Sequence, residues 1–156
     1  MQKILVLCTG NSCRSIMLEG VINHYGNDQF RAFSAGSNPA GYVHPMSIKT
    51  LEKSGIFKSD YISQSWDEFS DMIFDLVITV CDNAAGETCP AYLSSAPKVH
   101  WGVEDPAKFE GNEEEIENEF QRIFKIFVKR TQAMVAKYEK EQKFDMQSLT
   151  EISKLI

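Results

Sequence analysis

The sequence predicts an α/β fold: a single three-layer domain with a central parallel sheet of about four strands flanked by helices. Three observations carry that expectation. Short apolar runs of strand length alternate with helical patterns along the chain. The run Lys3–Leu7 is continuous rather than alternating, as a parallel strand buried on both faces requires. The 156 residues, 43% hydrophobic and 24% charged, suit one globular domain with a full core.

Taken in order, Lys3–Leu7 is the first strand and Cys8–Cys13 a polar turn. A helix follows from Arg14, with Leu18, Val21, Ile22 and Tyr25 on one face and Gly26 as its stop. Arg31–Ala35 is a second strand closed by Gly36. Pro45 suits the first position of a short helix that ends at Gly55. Tyr61–Gln64 is extended, and Ser65-Trp66-Asp67-Glu68 has the form of a capping box opening a short helix. Phe74–Val80 is β-branched and apolar, a central strand. Cys81–Pro97 is expected to be a long loop of small residues, and Lys98–Trp101 the last strand. Asn112 starts the strongest helix, with Glu115 at capping-box offset and Glu113 and Glu114 in the positive first turn. Its core stripe is Ile116, Phe120, Ile123, Phe127, Met134 and Tyr138, and Lys137 and Lys140 fall near its negative end. The domain is expected to span residues 1–140, with 141–156 a C-terminal extension, either a short amphipathic helix or a tail.

Composition excludes several classes. A net charge of -6 argues against nucleic acid as the main partner. No apolar run approaches the ~20 residues that span a bilayer, and Met1-Gln2-Lys3 leads into too short an apolar run for an export signal. A cytoplasmic monomer is expected. Cys8, Cys13, Cys81 and Cys89 should then be thiols rather than a disulfide framework. Their spacings, with no nearby His pair, fit zinc patterns poorly. Catalytic or redox thiols remain.

The segment Cys8-Thr9-Gly10-Asn11-Ser12-Cys13-Arg14-Ser15 carries the chemistry. A turn between a strand and a helix can gather inward-pointing backbone N–H groups, and Gly10 and Asn11 tolerate the positive φ that such a nest uses. The helix at Arg14 aims its positive end at the same point. A tetrahedral oxyanion would sit there, bound by residues 9–14. Arg14 supplies a planar fork for two of its oxygens. Cys8 sits among the same N–H groups, which should lower its pKa, and Ser15 can donate its hydroxyl to the sulfur. The Gly-Lys-Ser/Thr of a nucleotide-type loop is missing. Cys13, on the far side, suits packing better than attack. The competing reading is an inert strand-end Cys8 beside a surface Arg14.

Cys8–Ser15 with the downstream pair Asp105-Pro106 resembles the low-molecular-weight tyrosine phosphatase fold. Ser34-Ala35-Gly36, His44-Pro45, Val80-Cys81-Asp82-Asn83-Ala84, Cys89-Pro90 and His100-Trp101-Gly102 resemble the arsenate reductases that share this fold and recycle through thioredoxin-type partners. The resemblance implies that Asp105 is a general acid; from the residues alone, an Asp before Pro is equally a turn residue.

Electron counting separates the two activities. Phosphate transfer needs one thiolate, one Arg and one acid. Reducing arsenate to arsenite takes two electrons, which two thiols release on forming a disulfide. In line with the resemblance, Cys8 attacks arsenic, Cys81 attacks Cys8, and Cys89 attacks Cys81. An external thioredoxin, or glutaredoxin with glutathione, then reduces the Cys81–Cys89 disulfide. The alternatives are a phosphatase for phosphotyrosine or small phosphoesters, and a non-catalytic thiol sensor or anion-binding module. Ala107 stands where those phosphatases usually carry an aromatic, which weakens the first. No tightly bound cofactor is expected. Some reductases of the family bind potassium, and Asn11, Glu19 and Ser34 fall at matching positions, but the remaining ligand has no clear counterpart and no metal is assigned.

Overall fold

The structure, a computed structural model, describes residues 1–87 and 89–156; Thr88, in the segment between Cys81 and Cys89, lies outside the described residues. Four strands form one sheet: β1 (Gln2–Leu7), β2 (Phe30–Ala35), β3 (Leu76–Thr79) and β4 (Lys98–His100), in the order β2-β1-β3-β4. Every pairing is parallel, with Ile4 opposite Ala32 on one side and Leu76 on the other. Ile4, Leu5, Val6 and all of β3 are buried, which is why these runs are continuous and apolar. Each such side chain contributes about 1.5–3 kcal/mol by leaving water.

The helices are α1 (Arg14–Tyr25), α2 (Pro45–Lys53), α3 (Asp82–Gly86), α4 (Glu113–Glu141) and α5 (Met146–Ile152). α1 packs on β1 and β2 and against α2 and α4, while α5 packs on α4 and β4. The Asn112–Glu115 capping box forms in both directions, at 2.9 and 3.1 Å. Pro45 opens α2, and Gly55 takes the left-handed turn after it at φ 74°. No helix among the described residues is long and apolar enough to cross a membrane.

Three expectations need correction. Gly26 ends α1 without a left-handed φ; Asn27 and Asp28 take that conformation instead, and a Cβ on Gly26 would meet the Ile22 carbonyl oxygen at 2.5 Å. Ser65 accepts from the N–H of Asp67 rather than Glu68, so Trp66–Phe69 is a single 3₁₀ turn and no capping box forms. Cys81–Pro97 is not a plain loop: it contains α3 and a 3₁₀ turn at Ala91–Leu93. Of the two forms expected for residues 141–156, the short helix is present: α4 ends at Glu141 and α5 follows, with Leu149 and Ile152 buried.

In a sheet of this order the first strand's two neighbours connect in opposite directions, which opens a crevice beyond the C-terminal ends of β1 and β3. Cys8 follows β1, Cys81 follows β3, and the Trp101–Asp105 turn follows β4. The topology therefore delivers all three to one edge.

Candidate functional site

The turn between β1 and α1 is held from outside by its own carbonyls. Thr9, Gly10 and Ser12 accept N–H donors from Asn38 (3.0 Å), Ala40 (2.8 Å) and His44 (3.0 Å). Buried Asn11 braces it from within: its Nδ2 donates to Ser15 Oγ at 2.8 Å, and its Oδ1 accepts the Gln64 N–H at 2.8 Å. With the carbonyls turned away, the N–H groups of Ser12 and Cys13 have no protein acceptor among the described residues. α1 has no side-chain cap and no acidic residue in its first turn, so its positive end is open to an anion. Gly36 makes the approach of the neighbouring segment possible, since a Cβ there would lie 2.3 Å from the Thr9 carbonyl oxygen.

Two loop expectations change. Only Asn11 adopts a positive φ, 45°; Gly10 does not. A Cβ on Gly10 would meet nothing within 4 Å, so glycine there leaves room in the cleft rather than permitting a turn. Ser15 is fully buried and accepts from Asn11, and no hydrogen bond joins it to Cys8 among the described residues.

Arg14 crosses the mouth of the loop. Its Nη1 donates to the Val103 carbonyl at 3.0 Å, and its Nη2 lies 3.5 Å from Asp105 Oδ2. Asp105 also accepts the Ala107 N–H at 3.0 Å, so the turn role and the role facing Arg14 coexist in one carboxylate. A cleft of about 630 Å³ is lined by Cys8, Gly10, Arg14, Cys81, Asp105 and Phe109 among others. A smaller one of about 200 Å³ on the Tyr42 and His44 side also touches Cys8, Cys13, Asp105 and Ala107. The cleft thus brings Cys8, Arg14, Cys81 and Asp105 together.

All four cysteines are free thiols. Cys8 and Cys81, far apart in sequence, line the same cleft. Cys81 accepts N–H groups from Thr9 and Ala84, each at 3.4 Å, and so caps α3. The two thiols shift in opposite directions. The Cys8 thiol, donating to Cys81 against opposing burial, brings Cys81 down to about 5. The same hydrogen bond, with burial, holds Cys8 well above the usual thiol range despite Arg14 and the Gly10 N–H. Within the pair, Cys81 is the more acidic thiol. Burial lifts Cys13 to about 11, which suits its packing role.

Cys89 is half-buried and lies beyond α3, separated from the Cys8–Cys81 pair by that helix. Glu87 accepts from Thr9 Oγ1 at 2.6 Å, tying the same segment to the anion loop. His100 bonds Thr79 at 2.8 Å through Nδ1 and Asp82 at 3.0 Å through Nε2, linking β3, β4 and the start of α3. Sequence reasoning gave Glu87, Thr79, Asp82 and His100 no site role. Arg130 was also missed, although a charge spaced with Phe127 and Met134 on an apolar stripe is a readable signal.

Asn11, Glu19 and Ser34, the positions matched to potassium binding, each have protein hydrogen-bond partners. Ser34 donates to Glu19, and both polar ends of the Asn11 amide have protein partners. Burial raises Glu19 to about 7. No group of three or more His, Cys, Asp or Glu able to hold a metal occurs among the described residues.

Comparison with known proteins agrees with this geometry. An arsenate reductase of Halalkalibacterium halodurans is 43% identical over 120 residues, covering 77% of this chain and 85% of its own. A solved arsenate reductase in its phosphate-binding state superposes with a TM-score of 0.72 at 28% identity, over 88% of this chain and 98% of that one. A thioredoxin-dependent arsenate reductase of Corynebacterium glutamicum gives a TM-score of 0.61 at 26% identity, over 85% of this chain and 62% of that one. Residues 3–144 match the family described as low molecular weight phosphotyrosine protein phosphatase. A parallel sheet that sets a Cys-x5-Arg-Ser loop opposite an Asp-Pro turn, matched over nearly the whole domain, places this chain in the low molecular weight phosphotyrosine protein phosphatase family.

Proposed function

We propose that this chain reduces arsenate to arsenite through Cys8, Cys81 and Cys89, with electrons from a thioredoxin-type dithiol protein in the cytoplasm. The observation that carries the proposal is the second sulfur beside the nucleophile: Cys81 lines the same cleft as Cys8, and its Sγ accepts the Thr9 N–H of the anion loop at 3.4 Å. Phosphoryl transfer has no step for it, whereas a two-electron reduction requires it.

The loop N–H groups, the α1 terminus and Arg14 hold the arsenate oxygens. Moving the proton of Cys8 to Cys81 makes Cys8 the nucleophile beside Arg14. A Cys8–arsenic bond forms, and an arsenic–hydroxyl bond breaks, with Asp105 protonating the departing oxygen so that water leaves. Cys81 passes its proton to solvent in the open cleft and, as a thiolate, attacks the Cys8 sulfur. The sulfur–arsenic bond breaks and its electron pair stays on arsenic, which departs as arsenite. Arsenic gains two electrons, and the two thiols lose two on forming the Cys8–Cys81 disulfide.

That disulfide removes the negative charge from the sulfur that caps α3. A five-residue helix with a weakened cap is marginal, so α3 loosens and Cys89 reaches Cys81. Cys89 takes Cys81 as its disulfide partner and releases Cys8 as a thiol. A dithiol protein reduces Cys81–Cys89 and restores the start. Asn11 positions the loop, and Thr9, Gly10, Ser12 and Cys13 line the oxyanion seat. The protein acts as a monomer and needs no tightly bound cofactor.

The test is a coupled assay with arsenate, thioredoxin, thioredoxin reductase and reduced nicotinamide cofactor. Arsenate-dependent cofactor consumption is expected. Hydrolysis of an aryl phosphate without such consumption would instead support the phosphatase, and neither signal would leave a thiol sensor.

A further inference from the structure

The family match ends at residue 144, yet the residues beyond it are built into the site's support. Fully buried Trp101 donates its indole N–H to the Leu149 carbonyl of α5 at 3.0 Å. Arg130 of α4, only 2% exposed, reaches in two directions. Its Nε donates to the Leu155 carbonyl at 3.0 Å, and its Nη1 to the carbonyls of Trp101 at 2.8 Å and Gly102 at 3.4 Å. Among the described residues its hydrogen-bond partners are carbonyls alone. A buried guanidinium without a carboxylate partner is unfavourable, and burial lowers its pKa. Its rigid fork, however, can clamp two chain segments at fixed separation, which an ammonium cannot.

The clamped segment leads directly to the chemistry. Val103, next after Gly102, accepts Arg14 Nη1 at 3.0 Å, and Asp105 two residues later faces Arg14 Nη2. A second cleft of about 490 Å³ borders the same turn and is lined by Gly102, Val103, Arg130, Ser153 and Ile156. The turn is therefore wedged between α4 and residues 145–156 on one side and the anion loop on the other.

We infer that Arg130, seated against residues 145–156, is a positioning residue for the reaction: it sets the Trp101–Asp105 turn so that Asp105 stands over the Cys8 loop. The inference rests on the proposed role of Asp105 as the acid.

The experiment is a double-mutant cycle on the full chain, reading kcat and KM for arsenate reduction with thioredoxin recycling. Arg130→Lys is expected to lower kcat about tenfold to a hundredfold, the scale of a misplaced catalytic group, with KM changed less than about twofold. In an Asp105→Asn background the same substitution should change kcat by less than about twofold, because the group it positions is already gone. Equal losses in both backgrounds would overturn the inference, since a general loss of stability acts on both alike. If Arg130→Lys does not fold, Arg130→Gln, which keeps a side-chain N–H donor for the carbonyls and carries no buried charge, goes through the same cycle with the same two outcomes. Asp105→Asn alone leaving kcat unchanged would overturn the acid assignment, and the inference with it, by a different and separately visible result.

Discussion

The charge of the Cys8–Cys81 pair can be read by titrating its reactivity toward a small alkylating agent. Near neutral pH an ordinary thiol is only about 1% ionised, whereas Cys81, lowered to about 5, is fully ionised. The gain in thiolate is ~100-fold. A thiolate about four units less basic is, however, ~60-fold less nucleophilic at a Brønsted slope of ~0.45, so the net rate advantage is only about twofold. The rate near neutral pH is therefore a poor reporter, and the midpoint of its pH profile is the informative quantity. The wild-type chain should show one thiolate with a midpoint near 5, and peptide mapping should place the label on Cys81. Cys81→Ala should abolish that midpoint and lower that of Cys8 relative to wild type, because the largest cause that raises it is gone while burial still opposes Arg14 and the Gly10 N–H. A label on Cys8 with its low midpoint unchanged in Cys81→Ala would refute this order of acidity.

Three further outcomes follow from the packing and the burial. Gly36→Ala should cost at least about 3 kcal/mol of unfolding free energy, because its Cβ would enter the carbonyls of Cys8 and Thr9. Gly10→Ala should stay within about 0.5 kcal/mol of wild type in the same denaturant experiment while raising the KM for arsenate, because its Cβ enters open cleft. Glu19 binds its proton more tightly folded, at about 7, than unfolded, at 4.5. Its contribution is therefore fully present below 4.5 and lost as pH rises through about 7, a change of about 3 kcal/mol. Glu19→Gln should remove that component from stability measured across the window; an unchanged pH dependence would show that Glu19 titrates normally.

Local patterns were legible where neighbours in sequence decide the outcome. The Cys8–Ser15 turn between a strand and a helix, the Asn112–Glu115 box and Pro45 at the start of α2 all depend on residues a few positions apart. α3 escaped because five small residues show no periodicity and because its cap is a cysteine sulfur rather than a usual cap residue. Gly10 and Asn11 looked alike as turn formers, and only the contacts of the Asn11 amide show which one turns the chain. The location of the negative charge could not be read from residues, since it depends on Cys81 reaching Cys8 across the sheet edge. Where a loop was expected after Cys81, the chain forms a short helix capped by the Cys81 sulfur.

Cys89→Ser gives the most direct test of the sulfur relay. Mixed with excess arsenate and thioredoxin, the variant should release about one arsenite per chain and stop, with Cys8 and Cys81 joined in a disulfide identifiable by mass spectrometry of the digested protein. Sustained turnover by this variant with thioredoxin alone, or arsenite release that leaves Cys8 and Cys81 unlinked, would contradict it.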